Sequence, residues 1–178
     1  DFVLSLDADE ALDDTLRQSI LHCKTQDGLD GYSMNRLTNY CGQWIRHCGW
    51  YPDRKLRLLD RRKAHWGGRN PHDKIVMAEG TNTAHIAGDL LHFSYYTVEE
   101  HVSRTRKYAE LSARAMLSDG KKGHYYNLII NPLSKFIKGY FIKMGFLDGK
   151  LGWTICKISA LETYWRYQIL ISLSKNTD

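Results

Sequence analysis

Two aspartates near the start of the chain have the type and spacing of a metal site. Asp7 and Asp9 lie two positions apart, directly after the apolar segment 2–6, which predicts a strand. Open α/β sheets bind ligands at the carboxyl ends of their strands. A carboxylate pair at that place can hold a hard divalent cation that contacts phosphate oxygens. Two acidic residues in a solvated surface turn would give the same pattern.

Arg57, Trp50 and Tyr51 are further candidates for binding residues. Arg57 lies in the alternating segment 55–59, where its guanidinium could contact a phosphate through two hydrogen bonds. An outward-facing strand residue is the alternative. Trp50 and Tyr51 could stack on a sugar acceptor, because aromatic rings pack on apolar sugar faces. Aromatic residues of the core would look the same in the sequence.

The elements that must position these residues indicate an α/β fold followed by helices. Alternating or apolar segments predict strands at 2–6, 32–40, 55–59 and 83–93. The polar residues 13–15 predict the N-terminal cap of a short helix that ends near Cys23. The remaining helices are expected at about 97–117, 132–144 and 153–172. We therefore divide the chain into residues 1–96, an α/β part, and 97–178, a helical extension.

The segment 2–6 is typical of a buried central strand of an α/β sheet. Central strands rarely open a domain without neighbours. We therefore expect that further sequence precedes Asp1.

Composition and charge indicate a globular protein with an anionic contact. The 178 residues are 43% hydrophobic and 12% aromatic, which excludes a disordered chain. Residues 1–100 carry 12 basic and 15 acidic side chains, whereas residues 101–178 carry 13 and 5. The basic second part suggests contact with phosphates or an anionic membrane; a solvated basic surface is the alternative. The four cysteines show no zinc-like spacing, which is typical of reduced thiols in the cytoplasm.

The expected helix at 132–144 has an apolar face beside lysines. No apolar run approaches the ~18 residues needed to span a bilayer, so we expect a chain that lies on a membrane without crossing it. Helices of this kind suit the surface of an anionic membrane, so we expect residues 132–172 to bind anionic lipid; ordinary helices packed on the sheet are the alternative. The apolar face comprises Leu133, Phe136, Ile137, Tyr140, Phe141 and Met144.

Several ordered motifs carry a family resemblance. The segment 6–10, Leu-Asp-Ala-Asp-Glu, resembles the DxD segment of inverting glycosyltransferases of the GT-A type, family 2. Further motifs follow the order found in one bacterial branch of that family. They are residues 49–53 (Gly-Trp-Tyr-Pro-Asp) with 56–59, residues 71–73 (Pro-His-Asp), 91–95 (Leu-His-Phe-Ser-Tyr) and 145–149 (Gly-Phe-Leu-Asp-Gly). The resemblance is closest to lipopolysaccharide core beta-glucosyltransferases. It implies a GT-A fold without its N-terminal nucleotide-binding strands.

The resemblance also implies roles for individual residues. Asp7, Asp9 and His92 would form the metal site, for Mg²⁺ or Mn²⁺, although a structural histidine at a strand end is the alternative for His92. Asp73 would be the general base that deprotonates the acceptor hydroxyl. The branch has glutamate at that position, so the shorter Asp73 changes the expected geometry. His72, with the residues Asp7, Trp50 and Arg57, would bind donor or acceptor.

The implied activity is transfer of a sugar, glucose by this resemblance, from a nucleotide diphosphate sugar to a lipopolysaccharide core or another surface glycan, with inversion. A polyprenyl-linked acceptor is an alternative within the enzymes. A non-enzymatic basic module that binds membrane or nucleic acid is the alternative of another class, but the sequence has no recognisable nucleic-acid-binding motif, and we expect no nucleic-acid partner. We expect a cytoplasmic protein at the inner face of the bacterial inner membrane.

Overall fold

The computed structural model describes residues 1–23, 28–67 and 74–175, and within them the structure is mixed α/β. The predicted mixed α/β class is therefore confirmed, while the GT-A fold stays a prediction. The strands are β1 Phe2–Leu4, β2 Glu10–Leu12, β3 Gly31–Tyr40, β4 Gln43–Ile45, β5 Asp53–Asp60, β6 Ala64–Gly67, β7 Lys74–Met77 and β8 Thr83–Tyr95. The helices are α1 Asp14–Cys23, α2 Val98–Ser118, α3 Asn127–Ile137 and α4 Gly149–Lys175.

The chain divides into two compact units. Unit 1 comprises Asp1–Asn39 and Tyr51–Ser94, and unit 2 comprises Tyr40–Trp50 and Tyr95–Asp178. The sequence analysis places one boundary between residues 96 and 97 and leaves residues 40–50 in the first part. The assignment of 40–50 to unit 2 depends on contacts that are distant in sequence.

The sheet of unit 1 is built from antiparallel neighbours. Its strands follow the order β1-β5-β3-β8-β2, and the pairs β1–β5, β3–β5 and β2–β8 are antiparallel. β1 lies at one end of this order, and Phe2 and Val3 are 49% and 42% exposed. Among the described residues, β5 is the one strand that pairs with β1, so the segment predicted as a buried central strand lies at the end of this order.

Helix α1 covers one face of this sheet. It begins where Oδ1 of Asp13 accepts a hydrogen bond of 2.6 Å from the backbone N–H of Leu16, which confirms the predicted cap. Gly88 of β8 has a positive φ of 101°, and a Cβ there would lie 2.2 Å from the backbone nitrogen of Leu16. Helix and strand can approach this closely because position 88 is glycine. The core between them contains Leu16, Cys23, Tyr32, Met34, Leu58 and Leu90.

Unit 2 is a helical assembly around α4. Helix α2 begins where predicted, since the Thr97 side chain accepts a hydrogen bond from the N–H of Glu100. Both α2 and α3 pack against α4. A second small core forms where Tyr40 and Ile45 pack with Ile155 of α4, and all three are at most 1% exposed.

Helix α3 starts earlier than the sequence predicts. It begins at Asn127 and continues into a π-helical turn at Lys138–Ile142, so the predicted start at Pro132 is wrong and this proline lies inside the helix. A proline removes one backbone donor, and the packing of Phe136 on α4 helps to keep the helix in place. None of the helices in the described residues is long and apolar enough to cross a membrane.

Candidate functional site

Asp7 and Asp9 lie in a tight turn between β1 and β2 of unit 1. The N–H of Glu10 donates to the carbonyl oxygen of Asp7 at 3.0 Å, and the N–H of Asp7 donates to Oε2 of the Glu10 side chain at 3.0 Å. The N–H of Phe93 in β8 donates to the carbonyl oxygen of Asp9 at 2.9 Å. The turn is thereby fixed to the sheet, while the side chains of Asp7 and Asp9 are 53% and 43% exposed.

A buried ion pair lies directly behind this turn. The Glu10 side chain has no exposed surface, and its Oε1 accepts a hydrogen bond of 2.8 Å from Nη2 of Arg57. The same Nη2 donates to Oδ2 of Asp7 at 2.5 Å. Burial lowers the pKa of Arg57, but its hydrogen bonds to Asp7 and Glu10 outweigh this effect, so the pKa is raised overall. Arg57 is therefore cationic and links Asp7 to Glu10.

A second guanidinium lies on the other side of Glu10. Nη2 of Arg36 donates to Oδ2 of Asp53 at 2.7 Å, and its Nη1 lies 3.8 Å from Oε1 of Glu10. The buried carboxylate thus has a cation on two sides, which offsets the cost of removing its charge from water. The expected contact between Arg57 and a donor phosphate stays a prediction.

His92 of β8 lies beside Asp9. The β2–β8 register sets His92 opposite Glu10, and Nε2 of His92 lies 3.3 Å from Oδ2 of Asp9. Burial lowers the pKa of His92 and nearby Arg36 lowers it further, against the opposing effect of the carboxylates in the turn. The imidazole is therefore neutral at physiological pH, which is the form that binds metal ions. Its Nδ1 is buried without a hydrogen-bond partner in the part of the chain that the structure describes.

Asp9 and His92 are the pair that could hold a divalent cation. Within residues 1–23, 28–67 and 74–175, no group of three or more His, Cys, Asp and Glu side chains is arranged to hold a metal ion. One carboxylate and one imidazole suit Mn²⁺ or Mg²⁺, and such ions take further ligands from substrate phosphates and water. The two side chains fit a cation that binds together with a diphosphate. The role of Asp7 as a third ligand stays a prediction.

The remaining predicted site residues are Trp50, His72 and Asp73. Trp50 belongs to unit 2, where its ring centroid lies 5.7 Å from that of Tyr40 and 5.8 Å from that of His101. This packing favours the core-aromatic alternative, and stacking of Trp50 on a sugar stays a prediction. His72 and Asp73 lie outside the described residues, so their expected roles also stay predictions.

The sequence analysis missed Glu10 and Arg36 as parts of the site. The position of Glu10 directly after the aspartate pair is a signal, but the sequence does not show that its side chain is completely buried. Arg36 has the same parity in β3 as the buried residues Tyr32 and Met34, and this position alone does not show that its guanidinium has a carboxylate partner. Their partners lie 47 residues away for Glu10 and 17 residues away for Arg36.

Comparison with known proteins identifies the class of the chain's relatives. Proteins named as glycosyltransferases align with nearly the whole chain, which supports a transferase role. Among them, the lipopolysaccharide core biosynthesis glycosyltransferase LpsC of Rhizobium meliloti is 27% identical over 93% of this chain and 64% of its own length. Uncharacterized glycosyltransferases of Rickettsia typhi and Rickettsia prowazekii are 25% and 26% identical over 98% of the chain and 63% of their own lengths.

The chain thus spans a little under two thirds of the curated relatives that it matches. No family model matches the chain, and no solved structure matches it. The prediction that the chain is related to glycosyltransferases, including one of lipopolysaccharide core biosynthesis, is confirmed. Its finer parts, which are the GT-A family 2 type, the inverting mechanism and the sugar, stay predictions.

Proposed function

We propose that the protein is an inverting glycosyltransferase of the GT-A, family 2 type. It transfers a sugar, glucose by its resemblance, from a nucleotide diphosphate sugar to a lipopolysaccharide core or another surface glycan. The observation that carries this proposal is the Asp9–His92 pair, with 3.3 Å between Oδ2 and Nε2, in a chain whose relatives are glycosyltransferases.

The residues of the turn bind and orient the donor in this proposal. A Mg²⁺ or Mn²⁺ ion held by Asp9 and His92 would supply Lewis-acid stabilisation of the leaving diphosphate, worth several kcal/mol. Arg57 fixes the Asp7 carboxylate so that it contacts the donor or water near the cation. Glu10 holds the backbone of the turn through the N–H of Asp7, and this preorganisation reduces the movement needed when the donor binds.

Asp73 acts as the general base in this proposal. Its carboxylate removes the proton from the acceptor hydroxyl while that oxygen attacks the anomeric carbon on the face opposite the diphosphate. The bond between the anomeric carbon and the diphosphate oxygen breaks, and the nucleoside diphosphate leaves with its electron pair. His72 binds donor or acceptor beside it. A positioned base of this kind contributes about 10²–10⁴-fold in rate.

The metal pair is tested with two variants of the complete protein. Asp9→Asn and His92→Ala each remove one ligand, so we expect weaker Mn²⁺ binding in the presence of a nucleoside diphosphate and at least about a hundredfold slower sugar transfer. Electron paramagnetic resonance of Mn²⁺ and transfer from radiolabelled donor sugars are the measurements. Asp119→Asn and His124→Ala replace exposed residues of the same types and should change neither quantity. Unchanged Mn²⁺ binding in both site variants would contradict the metal assignment.

The base is tested separately with Asp73→Asn in the complete protein. We expect transfer to slow by about 10²–10⁴-fold, while Mn²⁺ binding and the free energy of unfolding stay at wild-type values. Turnover close to wild type would remove Asp73 from the mechanism. Transfer to lipopolysaccharide core acceptors and to polyprenyl-linked acceptors, measured side by side, distinguishes the two acceptor classes.

We also propose that the protein works as a peripheral protein on the inner face of the bacterial inner membrane. A lipopolysaccharide acceptor is anchored in a membrane through its lipid part, so an enzyme that holds itself at that surface meets the acceptor at a higher local concentration. The excess of basic residues in 101–178 supports attraction to anionic lipid.

A further inference from the structure

Helix α3 of unit 2 is amphipathic: Asn127, Asn131 and Lys135 share one side of it, and its broad apolar side is only partly covered. None of its residues, and none in the π-helical turn that follows, is buried. The apolar side of an amphipathic helix normally faces a core or another apolar environment. The exposed apolar side chains of α3 therefore lack the protein or lipid contacts that normally bury such residues.

The covered side of α3 faces α4. The ring of Phe136 lies 5.0 Å from that of Trp153, and the ring of Tyr140 lies 5.2 Å from it, both edge to face. Sequence analysis groups Phe136 and Tyr140 with Leu133, Ile137 and Phe141 on one membrane-facing side. The structure distinguishes them by exposure, because Phe136 and Tyr140 are half-buried in the contact with α4 while the other three are exposed.

The outer side of α3 is a continuous apolar stripe. Four apolar side chains lie within an arc of about 100° around the helix axis, since each residue of a helix adds a rotation of about 100°. In order around the axis they are Ile129, Leu133, Ile137 and Ile130. They are 71%, 56%, 42% and 58% exposed, respectively. Phe141 in the π-helical turn is 58% exposed and extends the stripe. Together these five side chains exceed the scattered apolar residues that ordinary protein surfaces show.

The charge around this stripe has one sign. Residues 120–147 contain no Asp or Glu, and the lysines at 121, 122, 135, 138 and 143 are all exposed. The next carboxylate in the chain, Asp148, is 5% exposed. Its Oδ2 accepts a hydrogen bond of 2.8 Å from the N–H of His47, so its charge is engaged inside unit 2. The charged side chains in this stretch of sequence are therefore all cations.

We infer that the outer stripe of α3, with the lysines at 135, 138 and 143, is a lipid-docking surface that lies in the headgroup region of an anionic bilayer. The apolar side chains enter the acyl boundary while the lysines contact lipid phosphates. This inference deepens the proposed membrane attachment and rests on it. It assigns the contact to residues 129–143, whereas the sequence analysis assigned it to segment 132–172.

The charges favour lipid over a protein partner. Protein interfaces are depleted of lysine at their centres, whereas a polybasic segment gains affinity from each charge near an anionic membrane. The stripe is also narrow and follows a single helix, which suits a helix lying flat in a membrane interface. A second copy of the chain is the competing occupant and is an outcome of the test.

The experiment is flotation of the protein with lipid vesicles. Wild-type protein should bind vesicles that contain phosphatidylglycerol and phosphatidylethanolamine, and should bind phosphatidylcholine vesicles at least about tenfold more weakly. Two variants test the surface. The triple variant Ile129→Ser/Ile130→Ser/Leu133→Ser should lower the partition coefficient by about a hundredfold or more. The double variant Lys135→Gln/Lys138→Gln should lower it by about tenfold to thirtyfold at low salt.

Matched controls remove the same chemistry elsewhere on unit 2. Tyr108 and Leu111 of α2 are 52% and 49% exposed, and Tyr108→Ser/Leu111→Ser should bind lipid as the wild type does. Lys107→Gln/Lys157→Gln removes two exposed lysines outside the surface and should reduce binding less than Lys135→Gln/Lys138→Gln. Circular dichroism establishes that each variant keeps its helices, and the lysine variant keeps the test decisive if the serine variant loses them.

The outcomes separate the surface from the membrane attachment. If wild type binds anionic vesicles and both surface variants bind equally well, the surface is wrong while the attachment stands. If wild type does not bind, both fail. If light scattering shows a dimer in lipid-free buffer that the serine variant abolishes, the stripe is covered by a second copy and the lipid inference is overturned.

Discussion

Replacing Arg57 tests whether the buried ion pair holds the turn that carries Asp7 and Asp9. The variant Arg57→Met keeps most of the apolar stem but removes the guanidinium. The Glu10 carboxylate, which has no exposed surface, then loses the hydrogen bond of 2.8 Å from Nη2. The carboxylate cannot move into water without opening the turn.

The expected magnitude follows from what remains around Glu10. Removing one partner of a buried ion pair costs about 3–5 kcal/mol, because the other charge stays in a poorly polarisable environment. Nη1 of Arg36 remains 3.8 Å from Oε1, and the N–H of Asp7 still donates to Oε2 at 3.0 Å. We therefore expect the lower end, a loss of about 3 kcal/mol in the free energy of unfolding. Arg57→Met/Glu10→Met removes both charges and should recover much of this loss.

Urea unfolding followed by circular dichroism measures these differences. The control is Arg61→Met, since Arg61 pairs with Asp1 at 3.0 Å while their side chains are 66% and 78% exposed. An exposed pair contributes at most about 1 kcal/mol. The reasoning is refuted if Arg57→Met costs no more than Arg61→Met. The reasoning is also refuted if Arg57→Met/Glu10→Met loses as much unfolding free energy as the single variants Arg57→Met and Glu10→Met lose together.

Two further predictions concern unit 2. Burial lowers the pKa of His101 from 6.5 to about 4. Between these pH values the unfolded chain binds the proton more readily than the folded protein does. The free energy of unfolding therefore keeps its full value above pH 6.5 and falls by about 3 kcal/mol as the pH drops towards 4. Urea titrations across that range should show this slope in wild type and a shallower one in His101→Phe. A Cβ at Gly152 would lie 1.9 Å from the carbonyl oxygen of Gly145, so Gly152→Ala should lower the unfolding free energy by at least about 3 kcal/mol. Thermal melts should show that Ser172→Ala, on an exposed side of the same helix, changes it by less than about 0.5 kcal/mol.

Several elements were predictable because their signals are local. Alternation predicts β3 and β5, and the Thr97 side chain with two following acidic residues predicts the start of α2. The turn with Asp7 and Asp9 follows from an apolar segment that ends in carboxylates. His92 was named through the family resemblance, and the structure brings it to Asp9 through the β2–β8 register.

Other features depend on contacts that no local pattern contains. The pairing of Glu10 with Arg57 joins residues 47 positions apart, and β1 lies at the end of the strand order because of the pairing partners it has. The same is true of α3. Periodicity shows which residues share a side of a helix, but how much of an apolar side is covered depends on which neighbour reaches it. The contact with Trp153 covers Phe136 and Tyr140 and leaves Leu133 more than half exposed. Sequence therefore determined the composition of α3 and the carboxylates of the turn, while tertiary packing decided which apolar side chains of α3 stay exposed and which carboxylate is buried between two guanidinium groups.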